Sequence, residues 1–288
     1  MEITYENNTF VAKVDGVVIA SSKNKDYLKR KVAAMGVTEA PAKRALDEFA
    51  INDRFTFTEQ LVTMVAKGET ASCVITGEGG LGKSYTVVKA LRAANLRDIS
   101  EIPLGEVVSA RGTYRVVKGF STAKGLYRML YENRNNILVF DDCDSILKDP
   151  DALNLLKGAL DSYDKRLISW NTSITDDNLP RSFEFCGGVI FISNYAQDKI
   201  SQAIRSRAMN VDLSMTTDQK IERMETIMQA NDFLPEVPLS YKRDALQCIR
   251  DNKMSAVEIS LRTLIKAAKI RNSNVPNWNL LAKYMLVN

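Results

Sequence analysis

Histidine is absent from the 288 residues, and that absence removes more chemistry than any other feature of the chain. Without imidazole there is no Ser-His or Cys-His nucleophile pair and no histidine-ligated metal. Catalysis must run on carboxylates, cations, hydroxyls or a bound metal. Cysteine is scarce: Cys73, Cys143, Cys186 and Cys248 stand far apart with no C-x-x-C spacing, and they read as small core residues in a reducing compartment. No apolar run approaches the roughly 18 residues that a membrane helix needs. The opening MEITYENN lacks the basic and apolar regions of a secretory signal, so a cytoplasmic, soluble protein without membrane contact is expected. Proline is limited to 7 residues and glycine to 14, which sets aside disordered and fibrous classes. The excess of Lys+Arg over Asp+Glu, 39 against 35, is too slight to identify a partner.

What is present reads as a folded α/β chain of one large domain or two modest ones. Residues 1–50 form a small accessory unit in this reading. Phe10–Val14 and Val17–Ala20 flank Asp15-Gly16, a pair suited to a tight hairpin because both central residues need positive φ. A basic helix is expected over Lys25–Met35, closed by Gly36, and a linking helix from Ala40-Pro41 toward Phe49. From Phe55 to Val211, apolar runs at Ala71–Thr76, Tyr114–Val117, Ile137–Phe140 and Val189–Ser193 alternate with helical stretches. That alternation predicts a mainly parallel sheet covered on both faces, over residues 51–212. After Val211 strands stop. Thr216-x-x-Gln219 predicts a capping box opening a helix to about Asn231, with further helices near Tyr241–Asp251 and Ala256–Arg271. Residues 213–288 are therefore expected to be a small all-α domain.

Gly77-Glu78-Gly79-Gly80-Leu81-Gly82-Lys83-Ser84 matches G-x-x-x-x-G-K-S letter for letter. Glycines let the backbone wrap a polyphosphate with amide N–H groups pointing inward at a helix N-terminus. Lys83 would reach the outer phosphates, and the Ser84 hydroxyl could ligate Mg²⁺. An apolar strand precedes the loop and a helix-forming stretch beginning at Tyr85 follows it. About sixty residues on, Ile137-Leu138-Val139-Phe140 ends in Asp141-Asp142. A buried strand delivers such carboxylates at the edge where ligands bind in these sheets, Asp141 to hold Mg²⁺ and Asp142 to polarise an attacking water. Asn194 ends a later apolar strand and could orient the water or touch the γ-phosphate. Arg205 and Arg207 follow, cations of the kind that stabilise charge developing in phosphoryl transfer.

In this ordered set the chain resembles the AAA+ ATPase family over roughly Phe55–Arg271. The resemblance identifies Gly77–Ser84 with Walker A, Ile137–Asp142 with Walker B, Asn194 with sensor 1 and Arg205 and Arg207 with arginine fingers. Residues 213–288 resemble the family's lid, and Ser260-Leu261-Arg262-Thr263-Leu264 its sensor 2, with Arg262 the candidate. Ile204-Arg205-Ser206-Arg207 is also similar to the Ser-Arg-Cys box of clamp loaders, with Ala208 replacing the cysteine. The resemblance implies a P-loop NTPase sheet with a helical lid, binding ATP and Mg²⁺ through residues 77–85 and Arg262. It further implies a homo-oligomeric ring or spiral in which at least one of these arginines acts on a neighbour's site, Arg207 being favoured by its likeness to the Ser-Arg-Cys box. The family usually has Asp-Glu where this chain has Asp141-Asp142; helicase-loader-like members also carry Asp-Asp, so slow, partner-stimulated hydrolysis is expected.

The stretch from Arg111 to Arg134, around the second strand and its helix, is basic: Arg111, Arg115, Lys118, Lys124, Arg128 and Arg134 stand against Glu132 alone. Tyr114, Phe120, Tyr127 and Tyr131 are interleaved. Cations tracking phosphates beside stacking rings suit single-stranded nucleic acid, through Arg111, Arg115, Lys118 and Lys124, unless Tyr127 and Tyr131 simply pack a helix on the sheet. Gly119-Phe120-Ser121 supports a rival reading, a pore loop gripping polypeptide in a protein-remodelling ATPase. A small-substrate kinase and an ATP-switched binding module with little turnover complete the alternatives.

Overall fold

The computed structural model describes residues 2–6, 9–14, 17–24, 27–28, 31–32, 48–103, 112–119, 122–163, 165–170 and 179–288. They belong to two compact units, Met1–Phe49 and Ala50–Asn288.

The first unit carries the expected hairpin with one strand more. Strands β1 (Glu2–Glu6), β2 (Thr9–Val14) and β3 (Val17–Ser22) pair antiparallel in the order β1-β2-β3. Val14 and Val17 are register partners of the β2–β3 pair; Asp15 and Gly16, on which the expected turn falls, lie outside the described residues. Of the expected helix, Tyr27, Leu28, Lys31 and Val32 are described and helical. Leu28 and Val32, one turn apart, bury against Ala12 and Ala20. The expected linking helix falls on residues 40–47, outside the described set.

The second unit opens on helix α1 (Ile51–Lys67), ended by Gly68 at φ 75, and builds a six-stranded parallel sheet. Its strands are β4 (Ser72–Thr76), β5 (Arg97–Asp98), β6 (Thr113–Lys118), β7 (Ile137–Asp141), β10 (Gly188–Ile192) and β11 (Met209–Asp212). They lie in the order β11-β4-β10-β7-β6-β5. All five residues of β4, β7 and β10 are buried, because a sheet covered on both faces has no solvent side to alternate with. Side chains still alternate between two cores. Val74, Leu138, Phe140 and Phe191 pack with helices α3 (Ala123–Glu132) and α4 (Pro150–Leu160). Cys73, Ile75, Val139 and Ile190 pack with α1 and α2 (Lys83–Ala93). The four expected strands are thus all present. β5, β11 and the short antiparallel pair β8 (Leu167–Ser169) and β9 (Ser182–Glu184) were not expected.

Beyond β11 and the short helix α5 (Gln202–Arg205) that precedes it, the chain is helical. These helices are α6 (Thr217–Met228), α7 (Leu239–Asp251), α8 (Leu261–Asn272) and α9 (Trp278–Val287). The capping box is made: Gln219 N–H donates to Thr216 Oγ1 at 3.2 Å and the Gln219 side chain accepts from Thr216 N–H at 3.0 Å. Met224, Leu246, Ile249, Leu264 and Leu286 centre a third core. One boundary is corrected. The helix expected from Ala256 starts at Leu261, because Ser260 caps it by accepting from Thr263 N–H. Among the described residues no helix is long and apolar enough to cross a membrane. Cys73, Cys143 and Cys248 are buried as expected, whereas Cys186 is exposed beyond the end of β9.

Candidate functional site

Strand order is what assembles the site. β10 lies between β4 and β7, so the loop after β4, the residues after β10 and the end of β7 meet at one edge of the sheet. Parallel strands make that edge their common C-terminal end, the usual ligand-binding side. Gly77, Gly80 and Gly82 have φ of 129°, 74° and 93°, values that an L side chain rarely adopts. At Gly77 a Cβ would also lie 2.8 Å from the Leu213 carbonyl carbon, where Arg54 fixes the chain by donating to Asp212 O at 3.0 Å and Ser214 O at 2.8 Å. Gly77→Ala is therefore expected to cost about 2 kcal/mol or more. A thermal melt within a degree of the parent would show that the loop has room to relax.

Gly82 stands at the N-cap of α2, and Lys83 is its first residue. The first N–H groups of such a helix have no intrahelical acceptor, and the helix dipole favours an anion there. Lys83 is 5% exposed. Its Nζ donates to Gly77 O and Glu78 O, both at 2.6 Å, and to Asn194 Oδ1 at 2.9 Å. Burial lowers this ammonium from the ordinary 10.5 to about 8, against the opposing pull of Asp141, Asp142, Asp144 and Glu78. The Asn194 amide donates in turn to Asp142 Oδ1 at 2.6 Å, and Asp142 itself takes a left-handed φ of 57°. Beside this chain runs a second one. Ser84 Oγ donates to Asp141 Oδ1 at 2.9 Å, and Lys118 Nζ lies 3.3 Å from Asp141 Oδ2.

These groups border one cleft of about 430 Å³, lined by Gly79, Gly80, Gly82 and Lys83 through Tyr85, with Lys118, Asp141, Asp142, Asn194 and Arg262. Among the described residues no three His, Cys, Asp or Glu side chains gather to hold a metal by themselves. A cation here would need oxygens from its ligand as well as from Ser84 and Asp141. Cys143 follows the acidic pair, but burial pushes its thiol up to about 11, as it pushes Cys73 up to about 12, so neither is a nucleophile near neutral pH.

The remaining expected residues divide. Leu81 is buried in the core with the α1–α2 face of the sheet, so it contributes backbone alone. Glu78 pairs with Lys220, and the Tyr85 hydroxyl bonds the Asp232 carboxylate. Leu261 N–H donates to Gly80 O at 2.9 Å; together these three contacts tie residues 77–85 to the C-terminal helices. Arg205 and Arg207 do not line the cleft. Arg207 Nε lies 3.4 Å from Asp161 Oδ2 and its Nη1 donates to Ala203 O at 2.8 Å. The exposed Arg205 side chain makes no hydrogen bond or ion pair among the described residues.

The basic segment is corrected in part. Arg115 cannot track a polyanion: it is 3% exposed, donating to Asn133 Oδ1 at 3.1 Å and Ile102 O at 2.6 Å, because its strand lies inside the sheet. Lys118 turns to Asp141. Tyr114 and Tyr127 are buried, and Tyr127 and Tyr131 both meet Phe183 edge-on, so these rings pack the sheet and do not face bases. Lys124 is exposed on α3 with Arg128 one turn on. Arg111 and Phe120 lie outside the described residues.

Asp144 was not singled out from the sequence. Its carboxylate accepts from Ser193 Oγ at 2.6 Å and from Asn194 N–H at 3.2 Å, which fixes the residue bridging Lys83 and Asp142. The only sequence signal was a third acid two places after Asp142; its partner lies 50 residues away.

No family model matches the chain. It is 30% identical over 276 residues to an uncharacterized 36.7 kDa protein in the nrdC-mobD intergenic region of Enterobacteria phage T4, an alignment covering 88% of this chain and 80% of that protein.

Proposed function

The chain belongs to the family of that phage T4 protein, and we propose that it is a Mg²⁺-dependent ATPase of the AAA+ type, with a P-loop NTPase sheet and the C-terminal helices as its lid. One observation carries this reading. The ammonium of Lys83, the Ser84–Asp141 pair and the Asn194–Asp142 pair converge on one cleft at the start of α2. Phosphoryl transfer asks of a protein little beyond positioning and charge, and each part is supplied without histidine. The phosphate loop and Lys83 bind the polyphosphate, and Arg262 faces the same cleft from the lid. Asp142, oriented through Asn194, holds and polarises the water. Mg²⁺ fits the donors Ser84 and Asp141, which are hard oxygens, since this ion commonly takes one or two carboxylates and completes its shell with phosphate and water; when bound it would neutralise charge on the outer phosphates.

The protein would act within the cell as a homo-oligomeric motor or loader on nucleic acid or a nucleoprotein. Lys124 and Arg128 are the described cations that support the nucleic-acid part. Arg205 is the better-disposed trans finger, since Arg207 is engaged by Asp161 within its own chain. The test is ATP turnover by the purified protein, with and without single-stranded DNA, and by mixtures of variants. Arg205→Ala and Lys83→Ala should each be inactive alone and regain partial activity when mixed, because some interfaces then pair an intact loop with an intact finger. No restoration despite demonstrable co-assembly would remove Arg205 from that role, and no turnover under any condition would reduce the protein to a nucleotide-switched binder.

A further inference from the structure

Asp141 presents an electrostatic problem that the nucleotide reading leaves open. Its side chain is 5% exposed, and a buried carboxylate is costly unless paired. Ser84 supplies a hydrogen bond to one oxygen, and Lys118 supplies a full positive charge at the other. The pairing is built into the sheet: Lys118 and Asp141 are register partners on the adjacent parallel strands β6 and β7. The lysine side chain is 65% exposed, so its ammonium can turn to water once another cation takes its place beside the buried Asp141 carboxylate. It borders the same cleft as Lys83.

Resting on the nucleotide-site reading above, we infer that Lys118 is a positioning residue that competes with the divalent cation for Asp141. In the metal-free state its ammonium neutralises the carboxylate and keeps the Ser84–Asp141 pair in place. A divalent ion drawing on Asp141 must displace that ammonium, so Lys118 raises the metal concentration needed. The same charge, bordering the cleft that Lys83 also lines, favours a metal-free polyphosphate, which lacks the ion's neutralising charge. Lys118 therefore acts in opposite directions on metal and on metal-free nucleotide.

Lys118→Met keeps the aliphatic stem and removes the charge. With a fluorescent ADP analogue as probe, the Mg²⁺ half-saturation for enhanced binding should fall about twofold to fivefold, the range expected for a part-exposed ion pair. Affinity for the analogue in EDTA should weaken by a comparable factor, while Lys118→Arg should restore both values. A purely structural role would not produce shifts of opposite sign, and a thermal melt of each variant reports any loss of folding. An unchanged Mg²⁺ half-saturation in Lys118→Met, with analogue binding intact, would overturn the competition while leaving the nucleotide site standing. Failure of the parent protein to bind the analogue with or without Mg²⁺ would remove the site, and this inference with it.

Discussion

Lys83→Ala is expected to lower affinity for ADP and ATP by about a hundredfold or more while leaving the melting temperature close to that of the parent. A hydrogen-bonded charge facing a phosphate contributes about 1.5–3 kcal/mol, and lost charge neutralisation in a half-enclosed cleft adds to it. Folding should survive because the ammonium is itself costly to bury: desolvation is the largest influence on it, lowering it from 10.5 to about 8. The same shift gives a pH signature. The free protein holds this proton fully only below about pH 8 and loses it as pH rises through that value. A bound polyphosphate stabilises the charged form and raises the group again. Between about pH 8 and 10.5 nucleotide binding should therefore take up a proton, and affinity should decline as pH rises. Calorimetry at pH 8.5 in two buffers of different ionisation enthalpy measures the uptake, which Lys83→Ala should abolish. Affinity within threefold of the parent in that variant would sink the assignment of Lys83 to phosphate.

Asp142→Asn should do the reverse: nucleotide affinity unchanged and ATP turnover down by about 10² to 10⁴, the range for losing a positioned acid–base group. The substitution is close to neutral structurally. Asp142 sits at φ 57°, a conformation that asparagine tolerates better than most residues, and an amide oxygen can still accept the Asn194 hydrogen bond that Asp142 Oδ1 accepts at 2.6 Å. What disappears is the negative charge, which matters when water attacks and little when nucleotide binds. Phosphate release at the parental rate from Asp142→Asn would show that the water is activated elsewhere.

Much of this protein was legible in its residues because the informative segments are local. G-x-x-x-x-G-K-S needs nothing beyond eight consecutive positions, and the three central strands announce themselves by their apolar centres, Cys73–Ile75, Ile137–Phe140 and Val189–Ile192, because both of their faces are covered. The thin edge strands were not legible. Met209–Asp212 has one buried residue in four, and Arg97–Asp98 is two exposed charges; pairing with a neighbour, not hydrophobicity, makes them strands. The basic segment misled for a related reason. Charge counted along the sequence does not say which cations a strand buries, and Arg115 and Lys118, three residues apart on β6, end respectively inside the protein on Asn133 and in the cleft on Asp141.

By itself the sequence determined the chemistry on offer: no imidazole, one G-x-x-x-x-G-K-S loop between a strand and a helix, two adjacent carboxylates at a strand end, and a helical C-terminal part. These follow from residue identity and short-range periodicity, which backbone sterics and burial translate directly into local structure. Only the tertiary structure decided which groups meet. Placing β10 between β4 and β7 brings Asn194 onto both Lys83 and Asp142, although 111 and 52 residues separate the partners. The same assembly turns Lys118 from a surface cation into the counter-charge of Asp141 and sets Asp144 behind Asn194. Strand order is chosen by the packing of whole faces against helices, a sum over many long-range contacts that no short stretch of the chain encodes.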